Sequence, residues 1–255
     1  MRGVVIVEGP SDRVVLSEAL NVDRDLFFPV SGRRNVLLAA DALETDYIAG
    51  VVCVADADFD DEPAARDRQW YLVFSDNADL DAMLFLSPAF ERLLEHWAAP
   101  EKLEDLGGPQ GIRAAVADAV RVLSTLRRQN ELLSLGLDFN AMDLRRAINR
   151  RTLASDPVAL VDHLAAVSGV AAAAIHGIVG EPEPTCPFSG FLLVRGRDCF
   201  VVVEIALRHV IGSLPRLPPE VRAVERTLRA ALRPGDLDRT PFAHRVRTAR
   251  ARAIA

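Results

Sequence analysis

The sequence predicts an α/β fold, a parallel sheet flanked by helices, followed by a mainly helical C-terminal region. Short apolar runs recur at Val4 to Glu8 (VVIVE), Val51 to Ala55 (VVCVA) and Trp70 to Phe74 (WYLVF), apolar on both alternating faces as in strands covered on two sides. Stretches with helical spacing separate them, which is the rhythm of parallel strands joined by crossovers. Beyond Leu86 the sequence reads helical, and residues 1–105 are expected to form a sheet-bearing domain and residues 106–255 a mainly helical one.

In chain order, the first strand ends at Glu8, and Gly9-Pro10-Ser11-Asp12 turns into a helix from about Arg13 to Leu20 with Ser11 or Asp12 as its cap. Phe27 to Val30 reads as a short strand. Ser31-Gly32-Arg33-Arg34-Asn35 is a polar turn before a helix over Val36 to Leu43. Gly32 with Arg33 and Arg34 suits a close approach to a phosphate or a solvated loop. Val51 to Ala55 is the central strand, Pro63 to Arg68 a polar loop, and Trp70 to Phe74 the next strand, whose exit leads into a helix from Ala82 through Leu86.

Further along, Val116, Val120, Leu123 and Leu126 stand at helical spacing within Ile112 to Leu126, and Asp156-Pro157 opens a helix that stops at Gly169. Gly180 to Gly190 is a proline-rich loop and a candidate hinge. Asp198 to about Ile211 favours a helix over a strand at Phe200 to Val203, because its apolar pattern continues through Leu207. Pro219 opens another helix, and Phe242 to Ile254, with Arg245, Arg247, Arg250 and Arg252, forms the last. That basic helix is read as a solvated face or a contact for nucleic acid or an acidic partner.

Charge is unevenly distributed. Residues 1–105 hold 22 Asp and Glu against 9 Lys and Arg, whereas the remainder holds 14 against 21. An acidic half joined to an arginine-rich half suggests a metal site beside a surface for a polyanion or an acidic partner. Lys102 is the only lysine, so part of the arginine excess reflects a general preference for arginine over lysine. Cys53, Cys186 and Cys199 have neither paired spacing nor an even count, which argues against a zinc ribbon or a disulfide framework. The five histidines are scattered, and no phosphate-binding loop of the GxxxxGK[ST] type occurs. No apolar run approaches the roughly 20 residues of a bilayer span, and no basic-then-apolar leader precedes Val4, so a cytoplasmic protein without membrane contact is expected.

The chemical signal lies where strands end. Asp56, Asp58, Asp60 and Asp61 follow the central strand directly, Glu8 follows the first, and Asp79 with Asp81 follows the third. In parallel sheets these carboxyl ends are where ligands bind. Crowded carboxylates repel unless solvated or neutralised, and a hard divalent cation is the simplest neutraliser.

VEGPSD at Val7 to Asp12, GRRNV at Gly32 to Val36, VADADFDD at Val54 to Asp61 and NADLDAML at Asn77 to Leu84 together resemble a Toprim domain of the DUF4435 type. That type is similar to the overcoming-lysogenisation-defect-like and PARIS-type anti-phage defence nucleases. Val194-Arg195-Gly196-Arg197-Asp198 is similar to a degenerate form of the group's glycine-histidine/lysine-aspartate segment. The resemblance covers the first hundred residues well and the rest weakly.

It implies a metal-dependent nuclease that cleaves phosphodiester bonds in DNA or RNA, with tRNA among the candidates, and works with a separate ATPase of ABC or SMC type. A homo-oligomer is left open. The resemblance makes Glu8 the general acid or base or a ligand, and Asp56 and Asp58 the pair that holds magnesium, with manganese as a substitute. Asp81 stands where the group usually has glutamate. Asp12 and Asp60 are supporting ligands. Arg33 and Arg34 are the candidates for contact with the phosphoryl group.

Other classes remain in view. A nucleotide-sugar transferase also places Asp-x-Asp after an apolar strand, but the VEGPSD turn and the helical second half fit it less well. Haloacid-dehalogenase phosphatases carry their Asp-x-Asp on the first strand, whereas here it follows a later one. Neither the tyrosine-bearing domain of a topoisomerase nor the zinc ribbon of a primase is visible. A non-catalytic Toprim interaction subunit is the third class, and the presence of Glu8, Asp56 and Asp58 argues against it.

Overall fold

The computed structural model describes residues 3–46, 48–66, 69–186, 190–212 and 221–254. Its centre is a four-stranded parallel sheet of β1 (Val4–Val7), β2 (Phe27–Pro29), β3 (Val51–Ala55) and β4 (Leu72–Phe74), in the order β2-β1-β3-β4. The chain steps outward from β1 to β2, then crosses back to place β3 on the other side of β1. This reversal makes the crevice beyond the carboxyl ends of β1 and β3 the topological switch point of the sheet. Glu8 and Asp56 are the first residues past those two strands.

The alternation within each strand decides what covers each face. Val5, Val7, Val52, Val54 and Val73 point into one cluster of buried apolar side chains, while Cys53, Ala55, Leu72 and Phe74 point into another. The second cluster is closed by Val36, Ala40 and Leu43 of α2 (Arg33–Asp46). The first is closed by Val15, Leu16 and Ala19 of α1 (Pro10–Ala19), and it extends without a break as far as Ala253.

The connection after β3 contains the short α3 (Glu62–Ala65), where a loop was expected from Pro63 to Arg68. Pro63 sits in its first turn, where a missing N–H costs nothing. Residues 67 and 68 of that expected loop lie outside the described residues. After β4 come α4 (Leu80–Leu86), α5 (Pro88–Trp97) and α6 (Pro100–Asp105), then the long α7 (Gly108–Leu133), α8 (Pro157–Ser168) and α9 (Ala172–His176). The predicted α8 is reproduced in its chemistry. The Asp156 carboxylate accepts hydrogen bonds from the N–H groups of Val158 and Ala159, and Gly169 ends the helix with φ at 68°.

α10 (Gly196–His209) is a helix throughout and almost wholly buried, packing against α4, α7 and α11 (Val221–Ala230). The helix expected to open at Pro219 is described from Val221 onward, and residues 213–220 lie outside the described residues, as do residues 187–189 of the expected hinge loop. α12 (Pro241–Ile254) lies on β3 and β4. Its Phe242, Ala243, Val246, Ala249 and Ala253 are buried, and the Ala253 carbonyl accepts a hydrogen bond from the Gly50 N–H just before β3. The compositional boundary near residue 105 falls between α6 and α7, and the segments on either side share one apolar core. Among the described residues no helix is long and apolar enough to cross a membrane.

Candidate functional site

Glu8 and Asp56 meet because their strands are neighbours in register. A Glu8 carboxylate oxygen accepts the Asp56 backbone N–H at 2.8 Å. Burial pushes the Glu8 carboxyl up to about 7, the Asp56 N–H opposes this, and the nearby charges of Asp58 and Asp12 raise it further. Asp56 is raised well above the usual carboxylate range, first by burial and then by repulsion from Asp79, Glu8, Asp12 and Asp58. One Asp56 oxygen accepts the Leu80 N–H at 3.2 Å, at the start of α4.

Asp12 reaches the same place from α1. The helix begins at Pro10 rather than near Arg13, so Asp12 lies in its first turn instead of preceding it. Its carboxylate accepts the Gly9 N–H at 2.7 Å, and burial raises its pKa against that bond. Asp81, in the first turn of α4, completes the group and pairs with Arg229 of α11 at 2.9 Å. Asp12, Asp56, Asp79 and Asp81 line one cavity of about 620 Å³.

Asp58 and Asp60 face a neighbouring cavity together with Arg33. Asp58 adopts a left-handed backbone, φ 49°, which aspartate tolerates better than most side chains and which reverses the chain straight after Asp56. Asp60 grips Arg33 through both oxygens, at 2.5 and 2.9 Å. Arg33 also donates to the Asp56 carbonyl at 2.9 Å and lies 3.2 Å from Asp58. The guanidinium offered as a phosphate contact therefore holds the acidic loop in place, and Arg34 stands exposed on α2.

Asp79 is the side chain that selecting Asp81 alone passed over. It caps α4 by accepting the Ala82 N–H at 2.7 Å, and it also accepts the Gly196 N–H at 3.0 Å, joining the starts of α4 and α10. Burial and then Asp81 push its carboxyl up to about 7, while the Ala82 and Gly196 N–H groups and Arg195 act in the opposite direction. The available signal was its position, an aspartate directly before a helical apolar pattern. Asn77, fully buried, fixes the same region. Its amide oxygen accepts the Ala78 and Val194 N–H groups, and its amide nitrogen donates to the Leu192 carbonyl.

Facing the acids is a wall of arginines, Arg195 and Arg197 at the start of α10 and Arg222, Arg226 and Arg229 of α11. The basic helix read as a solvated face, or as a contact for nucleic acid or an acidic partner, is α12; its Arg245 pairs with Asp76 and the Phe74 carbonyl, and Arg247 pairs with Asp238. Its role is to cover the sheet.

Among the described residues no three His, Cys, Asp or Glu side chains stand as a finished ligand set for one ion. The donor chemistry nonetheless suits a hard divalent cation. Every donor is a carboxylate oxygen, and the raised pKa values of Glu8, Asp56 and Asp79 register repulsion and desolvation that a cation would offset. No family model, curated protein or solved structure matches the chain.

Proposed function

We propose that this chain is a Toprim-like, magnesium- or manganese-dependent nuclease cleaving phosphodiester bonds in DNA or RNA. The observation that supports the reading most directly is one cavity at the sheet's switch point with carboxylates on one side and arginines on the other. Phosphodiester cleavage needs both, oxygen ligands for a cation and cationic side chains for the phosphates. Asp12, Asp56 and Asp79 or Asp81 would hold the ion, with Asp58 and Asp60 supporting from the adjoining loop and Glu8 beside it left to move a proton. A bound magnesium ion supplies charge relief at the phosphoryl oxygens and a more acidic water.

The chain's own contribution is proton handling and alignment. A carboxyl near 7, as at Glu8, is matched to giving and taking a proton at neutral pH. Arg33 and Asp60 brace the loop that carries Asp56 and Asp58, so the acids are set before substrate arrives. The resemblance extends the proposal to an anti-phage effector that works with a separate ATPase.

The test is incubation of the purified chain with plasmid DNA and with total tRNA, in magnesium, manganese or EDTA, alone and with the product of a neighbouring ATPase gene. Metal-dependent cleavage of either substrate is expected. Glu8→Gln should lower the rate by about 10²-fold or more, because an amide does not exchange a proton near neutral pH. If neither nucleic acid is cut under any of these conditions, the nuclease reading fails.

A further inference from the structure

α11 places arginines at positions 222, 226 and 229, a spacing that puts all three on one face of a helix. Its other face carries Val224 and Leu228, both buried in the core, so the arginine face is held toward the cavity. Arg229 is tied to Asp81 and Glu225. Arg222 and Arg226 are exposed, and among the described residues no ion pair is recorded for either. Arg195 and Arg197 add two guanidiniums from the start of α10. Among the described residues lining this cavity none is aromatic, and none is Asn or Gln. It therefore offers neither an aromatic ring for stacking a base nor an amide for reading adenine, and its guanidiniums are matched first to phosphates, which take most protein–nucleic acid hydrogen bonds.

We infer that α11 is the substrate-holding element of the site and that it grips the sugar–phosphate backbone of a nucleic acid without reading its bases. This rests on the proposed function above for the identity of the polyanion. From Arg222 to Arg229 the helix advances about 10 Å, at about 1.5 Å per residue. One strand of a duplex presents a phosphate about every 3.4 Å of axis, so the stripe spans about three phosphates. Arg226 and Arg222 extend the line away from Asp81, where Arg229 joins it to the acids. The backbone is thus held by one end of the stripe while the bond to be cut lies at the other.

Binding measured in EDTA isolates this step from cleavage. Fluorescent duplex DNA, single-stranded DNA and duplex RNA of equal length, each in two base compositions, would be titrated across a range of salt concentrations, with polyglutamate as a non-phosphate polyanion. The two compositions are expected to bind alike, and the tightest of the three forms identifies the natural strand type. Arg222→Gln combined with Arg226→Gln should lower the slope of log affinity against log salt by about 0.9 per arginine on duplex DNA. Arg222→Lys combined with Arg226→Lys should keep the wild-type slope. An unchanged slope in the glutamine variant, a lost slope in the lysine variant, or polyglutamate binding as tightly as nucleic acid would each overturn the assignment. A reduced slope in EDTA, with no cleavage by the wild type in magnesium or manganese, would remove the nuclease reading and leave this one standing; cleavage in magnesium or manganese with an unchanged slope in EDTA would do the reverse.

Discussion

At Glu8 a backbone hydrogen bond and burial act against each other on a single carboxyl. The Asp56 N–H favours its charged form, yet burial and the neighbouring acids outweigh that bond and leave the group near 7, against an ordinary 4.5. A carboxyl whose pKa is raised by folding binds its proton more tightly in the folded chain. The metal-free protein should therefore lose stability as pH rises from about 4.5 to about 7, with nothing further lost from this group above that. The gradient is about 1.4 kcal/mol per pH unit for one such group within its window. Urea midpoints in EDTA between about pH 5 and about pH 8 should fall for the wild type and fall less steeply for Glu8→Gln. Equal gradients in the two proteins would show that Glu8 titrates normally. Glu8, Asp56 and Asp81 were legible in the sequence because each follows a strand-like run. Asp79 was visible as a strand-end acid too, but the resemblance singles out Asp81, and the docking of α10 on Asp79 is a contact between residues far apart in the sequence.

At the scale of elements, the docking of α10 against α4 depends on the absence of a side chain. A methyl group on Gly196 would lie 2.4 Å from the Asp81 carbonyl carbon and Cβ and 2.5 Å from the Ala82 nitrogen, all inside contact distance. Glycine is required here for space rather than for its torsion angle, since Gly196 is an ordinary first residue of a helix. Gly196→Ala should push the start of α10 away from α4, break the Asp79 bond and cost about 1–3 kcal/mol, as overpacking does elsewhere. A thermal melt unchanged from wild type would show that the two helices are not in the contact described. The strands and α8 could be read from alternation, caps and stop signals, because those are local. The basic face could not. Both α11 and α12 carry regularly spaced arginines, and only the fold decides that α12 covers β3 and β4 while α11 turns its arginines toward the acids.

Across the whole molecule, the acidic first segment and the arginine-rich second segment are two parts of one core and one cavity. The same apolar cluster holds Val5 of β1, Leu123 of α7, Val202 of α10 and Val246 of α12. Polar ties cross the boundary as well, with Arg128 of α7 on Asp61 and the Phe59 carbonyl, and Phe242 of α12 donating its N–H to Asp76. Two units joined by a linker would unfold separately, whereas elements sharing a core and tied across the boundary by polar contacts should unfold together. The sequence supplies a convenient pair of probes. Both tryptophans, Trp70 and Trp97, lie before residue 105, while most of the described helix lies after it. Tryptophan fluorescence therefore reports on the sheet-bearing segment and far-UV circular dichroism mainly on the helical one. In urea the two signals should trace a single transition with one midpoint and one slope. Separate midpoints would mean that the arginine wall detaches from the acids before the sheet melts, and the cavity would then belong to an interface between two domains instead of to a fixed site.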